Sequence, residues 1–366
     1  MPGSLRILAG PEARARIAKE GLHEDLFDLV AGASGGPKWL ALTRLDRAIF
    51  GTWFRARTRP LAMVGSSIGC WRFACVAQRD PVAACRRFEE AYLDYTVDGP
   101  VTPKRLSDDC RALLRIILAG EGETGALRED LPSHGADQIL THPAMHLSIL
   151  AVRGRGPAGL AHPLALGTGL AAAAIANMAS RRSLPLFFER TLVHDGRSPP
   201  PFDLTTGFPT VTVPLTARNM VDALLATAAV PFLFEPVAAL DGARPGLYLD
   251  GGIMDYHLDI PFAGDGLVLY PHFSDRVIPG WFDKFLKWRK ADPRNLSRTV
   301  LVCPSAEFVA GLPHGKIPDR GDFKRIPTAR RLTAWKRAVA ETQRLADAWS
   351  EARERGRLED LVEPLC

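Results

Sequence analysis

Leu61-Ala62-Met63-Val64-Gly65-Ser66-Ser67-Ile68-Gly69 is the stretch on which the reading of this chain turns. An apolar run of strand length passes through a glycine-bounded turn holding two serines, and residues 70–77 begin a helix. The same unit stands upstream: Leu26-Phe27-Asp28-Leu29-Val30-Ala31 runs through glycines into Trp39-Leu40-Ala41-Leu42 and a helix towards Phe50. Strand, glycine turn and helix in repetition predict an α/β protein. Residues 146–152, 210–213, 246–250, 267–270 and 299–302 read as further strands, and 220–229 as a helix stopped by Pro231. Residues 98–135 read as a helical insert with loops. Over 327–357, Leu332, Trp335, Val339, Ala346 and Trp349 fall at helical spacing and predict one long basic amphipathic helix.

The 366 residues are 46% hydrophobic and 24% charged with a net charge of +5, a globular composition. That modest charge does not point to nucleic acid. It is unevenly placed: residues 276–337 hold 15 Lys and Arg against 5 Asp and Glu. Six cysteines (Cys70, Cys75, Cys85, Cys110, Cys303 and Cys366) show neither a disulfide framework nor metal-ligand spacing, so reduced thiols are expected. With no basic start and long apolar run at Met1, no secretory signal is read, and the expectation is cytoplasmic. The Ala-rich stretch 164–179 is too short and too weakly hydrophobic to span a membrane.

Two stretches fit a G-x-S-x-G nucleophile turn, Gly32-Ala33-Ser34-Gly35-Gly36 and Gly65-Ser66-Ser67-Ile68-Gly69, each between a strand and a helix. Pattern alone does not choose between Ser34 and Ser67. Among the histidines, His142 and His146 are four apart, but Pro143 breaks the helix a metal pair would need. Ser67, Asp250 and His257 stand in the order of an α/β-hydrolase triad, with His257 only seven residues past the acid.

The order Ser34-Gly35-Gly36-Pro37-Lys38, Gly65-Ser66-Ser67-Ile68-Gly69, Asp250-Gly251-Gly252 resembles the patatin-like phospholipase family. Residues 226–237, Ala-Thr-Ala-Ala-Val-Pro-Phe-Leu-Phe-Glu-Pro-Val, are similar to the helix and proline-bounded loop that precede the family's aspartate. The likeness covers about residues 26–270. It implies a serine-aspartate dyad with Ser67 as nucleophile and Asp250 as base, an oxyanion hole at Gly35 and Gly36, and supporting roles for Lys38, Gly65, Gly69, Gly251 and Gly252. The implied chemistry needs neither metal nor organic cofactor. Two departures stand out: Ser34 replaces the first glycine of the usual run, and Trp39 the glycine after the basic residue. Pro37 has no N–H, which limits the donors of this turn to Gly35 and Gly36.

Residues 281–290, Trp-Phe-Asp-Lys-Phe-Leu-Lys-Trp-Arg-Lys, read as a helix. Trp281, Phe282, Phe285 and Trp288 would share one face, with Lys284, Lys287 and Lys290 on another, an arrangement suited to anionic lipid headgroups. The expected architecture is an α/β domain over 1–270, with a central mixed, mainly parallel sheet between helices. A basic strand and helical extension over 271–366 would pack on the same core. The expected function is hydrolysis of phospholipid or related lipid acyl esters, with peripheral contact to anionic membrane. The alternatives are a triad esterase using His257 and a catalytically weak lipid-binding protein of the same fold.

Overall fold

The computed structural model describes residues 3–96, 100–119 and 134–365. Residues 98–99 and 120–133 of the expected insert lie outside these; its described part holds the helix Pro103–Ile117 and the start of the helix His134–Thr141. Among the described residues ten strands form one sheet. They are β1 (Leu5–Ala9), β2 (Phe27–Gly32), β3 (Leu61–Ser66), β4 (Met145–Gly154), β5 (Phe188–His194), β6 (Thr210–Pro214), β7 (Tyr248–Asp250), β8 (Leu267–Pro271), β9 (Thr299–Pro304) and β10 (Val362–Pro364). Their order is β10-β1-β9-β8-β2-β3-β4-β5-β6, with β7 paired to β4. The four pairings from β9 through β8, β2 and β3 to β4 are all parallel, while β1 with β9, β4 with β5 and β4 with β7 are antiparallel.

Alternation along the strands divides the interior into two layers. Phe27 and Val30 of β2, Leu61 and Met63 of β3, and Val300 and Val302 of β9 enter one core. It is completed by Phe73 from the helix Ile68–Val76, Phe88 from Pro81–Asp94, and Trp335 and Trp349 near the C-terminus. Leu29 and Ala31, Val64, and Leu301 and Cys303 face the other way, against Phe202, Leu258, Ile260 and Phe273. Strands buried on both faces explain the near-continuous apolar runs in the sequence. The helix Pro163–Ala179 covers the outer part of this second face, packing Leu166, Leu170 and Ala173 with Val152 and Phe188.

Two expected helices differ. The C-terminal one is a pair, Thr328–Glu341 and Gln343–Glu354, broken at Thr342, whose hydroxyl donates to the Val339 carbonyl at 2.7 Å. A side chain bonding back to its own turn competes with helix continuation. Residues 281–290 are not a regular helix but a 3₁₀ turn, Trp281–Phe285, followed by irregular chain. The cause is Asp283, fully buried, which accepts from Asn177 Nδ2 at 2.7 Å, Arg181 Nη1 at 2.5 Å and Gly280 N at 3.0 Å. That anchor ties the turn to the helix Pro163–Ala179. A single aromatic face does not form: Trp281 and Phe282 are half-buried, whereas Phe285 and Trp288 are 87% and 67% exposed.

Candidate active site

Strand register brings the separated motifs together. Gly32 at the end of β2 pairs with Gly65 of the parallel β3, so both glycine turns leave the same end of the sheet, one strand apart. β4 runs longer than β3, with Leu150 opposite Ser66. Its next residue, Ala151, pairs with Asp250 of β7, which continues the edge that β3 vacates because β5 occupies the other. Ser67 and Asp250 thus arrive at adjacent positions along β4, although 183 residues separate them.

Ser67 has φ 54° and ψ −130°, a left-handed backbone that costs a non-glycine residue about 1–3 kcal/mol. The strained turn holds its hydroxyl clear of both strand and helix. Ser67 N donates to Thr227 Oγ1 at 2.7 Å, and Thr227 Oγ1 in turn donates to the Leu150 carbonyl at 2.5 Å. Gly69 permits the helix Ile68–Val76 to reach β2: a Cβ there would stand 2.2 Å from the Gly32 carbonyl oxygen.

Ser67 Oγ donates to Asp250 Oδ2 at 2.8 Å, and Asp250 Oδ1 accepts from Gly252 N at 2.7 Å. Burial raises the Asp250 pKa above the usual aspartate value, opposed by the positive field of Arg320 and by the bonds from Ser67 and Gly252. The carboxylate is therefore a stronger base than a solvated one, aimed at a single hydroxyl.

Gly36 has φ +55°, and among the described residues nothing accepts a hydrogen bond from Gly35 N or Gly36 N. Both residues line the cavity above Ser67. Ser34 N is committed to the Tyr256 carbonyl at 2.9 Å, and its hydroxyl lies 2.7 Å from Ser66 Oγ, which donates to the Asp255 carbonyl at 2.6 Å. Arg190 forks onto the Asp255 carboxylate at 2.8 and 2.5 Å. Ser34 is thus a tie between the two turns rather than a second free hydroxyl. Trp39 is buried away from the cavity, stacked on Phe88 at 3.9 Å between ring centres.

The cavity measures about 400 Å³, and Ser67, Asp250, Gly252, Val230, Pro231, Tyr256 and Trp281 contribute to its wall. Lys38, Lys284, Asp319 and Arg320 join them. Lys284 is turned inward, its ammonium 4.0 Å from the centre of the Tyr256 ring, away from Lys287 and Lys290. A second cavity of about 300 Å³, between the helices Pro103–Ile117 and Met220–Ala228, contains none of the expected site residues. His257 is fully buried outside the first cavity, with Nδ1 receiving the Ile278 amide at 3.0 Å; burial and the neighbouring His272 hold it well below the usual histidine pKa. His142 spends Nδ1 on the amides of Ala144 and Met145, and no metal-binding cluster of His, Cys, Asp and Glu occurs among the described residues.

Four residues of this site escaped the sequence reading: Thr227, Ser66, Asp319 and Arg320. Ser66 stands in the second glycine turn and Thr227 is a hydroxyl in an otherwise apolar helix turn, but neither pattern assigns it a role. Arg320 is distant in sequence from every motif.

The fold is an α/β sheet that carries a strained serine turn against a buried aspartate. The chain belongs to the patatin-like phospholipase family, a family of lipid acyl hydrolases, whose model matches residues 41–258. That match includes Ser67 and Asp250 and begins beyond the Gly35-Gly36 turn. The crystal structure of VipD from Legionella pneumophila is similar over 94% of this chain and 70% of that chain, at 12% identity and a TM-score of 0.35. A search of curated proteins returns no match.

Proposed function

We propose that the protein is a serine acyl hydrolase of lipid esters working through Ser67 and Asp250. The observation that carries this is the 2.8 Å bond from Ser67 Oγ to a buried carboxylate, beside two amides with no other acceptor among the described residues. As Ser67 Oγ attacks the acyl carbonyl, its proton passes to Asp250 Oδ2 and the carbonyl oxygen becomes an oxyanion. The amides of Gly35 and Gly36 stabilise that charge, an effect worth about 10²–10³ in rate per donor. Collapse expels the alcohol, which takes the proton from Asp250, and leaves an acyl-Ser67 ester. A water molecule, deprotonated by Asp250, then attacks the ester; Asp250 returns that proton to the departing Ser67 Oγ, and the fatty acid is released.

The surface beside the cavity suits an anionic lipid layer. The helix Pro163–Ala179 has no charged side chain and exposes Leu164, Ile175 and Met178. Phe232 follows the cavity residues Val230 and Pro231, and Phe285 follows Lys284; both are exposed, as is Trp288. Arg182, Lys287 and Lys290 are exposed close by in sequence. Apolar side chains for the acyl region beside cations for the headgroups are what interfacial binding uses.

A fluorophosphonate should label Ser67 and nothing at Ser34, read by peptide mass spectrometry. Asp250→Asn should abolish ester turnover, while folded His257→Ala keeps most of it. A dead His257→Ala would favour the triad instead, and an unlabelled, inactive parent the lipid-binding reading.

A further inference from the structure

Three cations converge on the cavity from separate parts of the chain: Lys38 from the turn after β2, Lys284 from the turn Trp281–Phe285, and Arg320 from residues preceding the helix Asp322–Arg325. Two carboxylates face them, and both are engaged. Asp250 is bonded to Ser67 and Gly252; Asp319 accepts from Lys316 Nζ at 2.7 Å and Gly321 N at 2.6 Å. Among the described residues none of the three cations has a hydrogen bond or an ion pair. Lys38 Nζ rests 4.9 Å from the Phe273 ring centre and Lys284 Nζ over Tyr256, ring faces that tolerate a cation without neutralising it. Arg320 reaches back over the oxyanion turn, its Nε only 3.0 Å from where a Cβ on Gly36 would lie.

Gathering like charges at a half-buried site is costly. Burial, then Arg320 and Lys38, bring Lys284 down to about 7, and burial lowers Lys38 as well. An anion placed among the three would relieve both desolvation and mutual repulsion. A trimethylammonium group would add a fourth cation to the ring and be repelled.

We propose that Lys38, Lys284 and Arg320 form an anion subsite beside Ser67, and that the preferred substrate is an acyl ester bearing an anionic phosphate group near the ester linkage. This rests on the acyl hydrolase reading and adds a direction to it: esters carrying a phosphate monoester are taken over neutral and choline-bearing ones.

Three soluble substrates test it: dibutyryl phosphatidic acid, dibutyryl phosphatidylcholine and the neutral p-nitrophenyl butyrate, all below micelle-forming concentration. The parent should favour the phosphate monoester over the choline ester by about tenfold or more in kcat/KM, the worth of one charge-assisted contact. Arg320→Gln and Lys284→Gln should each reduce that ratio several-fold, and Arg320→Lys should retain most of it. Inorganic phosphate should inhibit p-nitrophenyl butyrate cleavage competitively in the parent and more weakly in Arg320→Gln, which separates affinity for phosphate itself from affinity for the whole headgroup. Calorimetry with Ser67→Ala reads phosphatidic acid binding without turnover. Equal kcat/KM for both lipids, or Ser67→Ala binding that Arg320→Gln leaves unchanged, overturns the subsite while the hydrolase reading stands. Tight, Arg320-dependent binding in a protein that cleaves none of the three overturns the hydrolase reading and keeps the subsite.

Discussion

At the residue scale, Asp250 puts stability and reactivity in opposition. Its pKa is raised by burial, so as pH climbs from the ordinary aspartate value through the folded one, the native state must hold a costly charge and loses stability. Asp250→Asn keeps an oxygen for Gly252 N and removes that charge. The variant should melt higher than the parent at pH 7 and at the same temperature near pH 3, with about 2 °C for each kcal/mol relieved in a chain this long. Differential scanning calorimetry at the two pH values checks it. The acid limb of kcat/KM, measured on the neutral ester, should likewise sit above the usual aspartate range. Lys284 gives a second, opposite handle. It faces Lys38, Arg320, Asp319, Asp250 and Tyr256, and with a value of about 7 it is charged below neutrality and discharged above it. Preference for an ester carrying a phosphodiester, whose single charge is constant over this range, above the neutral p-nitrophenyl butyrate should therefore decline as pH rises from 6 to 8.

Gly36 belongs to the same scale. Gly36→Ala places a Cβ in a left-handed backbone and against Arg320 Nε, which strains the turn and displaces the arginine, and the amide should lose aim. A loss of about 10- to 100-fold in kcat is expected, with KM changed less, because the donor acts on the developing oxyanion.

At the element scale, the turns were readable from sequence and their meeting was not. Gly32 to Gly36 and Gly65 to Gly69 announced themselves because glycine flanks each serine. What joins Ser67 to Asp250 is the one-residue succession of Ser66 and Asp250 along β4, a register written in the relative lengths of β3 and β4. Length differences between strands have no local signature. β5 hid for another reason: Glu189, Arg190 and His194 make it look exposed, yet it is buried throughout, with Glu189 paired to Arg153 at 2.9 Å and Arg190 to Asp255. Likewise residues 281–290 read as a helix because hydropathy treats Asp283 as a surface residue, whereas the folded chain buries it. The apolar surface makes its own prediction: Phe285→Ser with Trp288→Ser should reduce partition to anionic vesicles by tenfold or more, since a buried aromatic is worth about 1.5–3 kcal/mol. Sedimentation with phosphatidylglycerol vesicles would show it, and unchanged binding would make this face purely structural.

At the scale of the whole molecule, the chain's two ends share one sheet. β9 stands between β8 and β1, and β10 pairs with β1 at the edge. A chain ending at residue 270 would expose the β8 edge, leave β1 without its neighbour, and remove Trp335 and Trp349 from the core. Such a truncation should yield insoluble protein, tested by expression and circular dichroism of whatever soluble fraction remains. The alternating strand and helix runs made the α/β class legible, because residues buried on both faces spell continuous apolar runs. β1 and β10 were not legible: a five-residue strand with Arg6 in it and a three-residue edge strand carry too little pattern.

The matched stretch 41–258 contains Ser67 and Asp250, the proposed nucleophile and base, whereas Lys284 and Arg320 stand on chain beyond it. The proposed dyad and two of the three proposed anion-binding cations therefore lie on different lengths of polypeptide. On the proposed reading, mutation in the segments around 281–290 and 316–325 changes which ester is admitted while the strand register that sets Ser67 against Asp250 stays untouched.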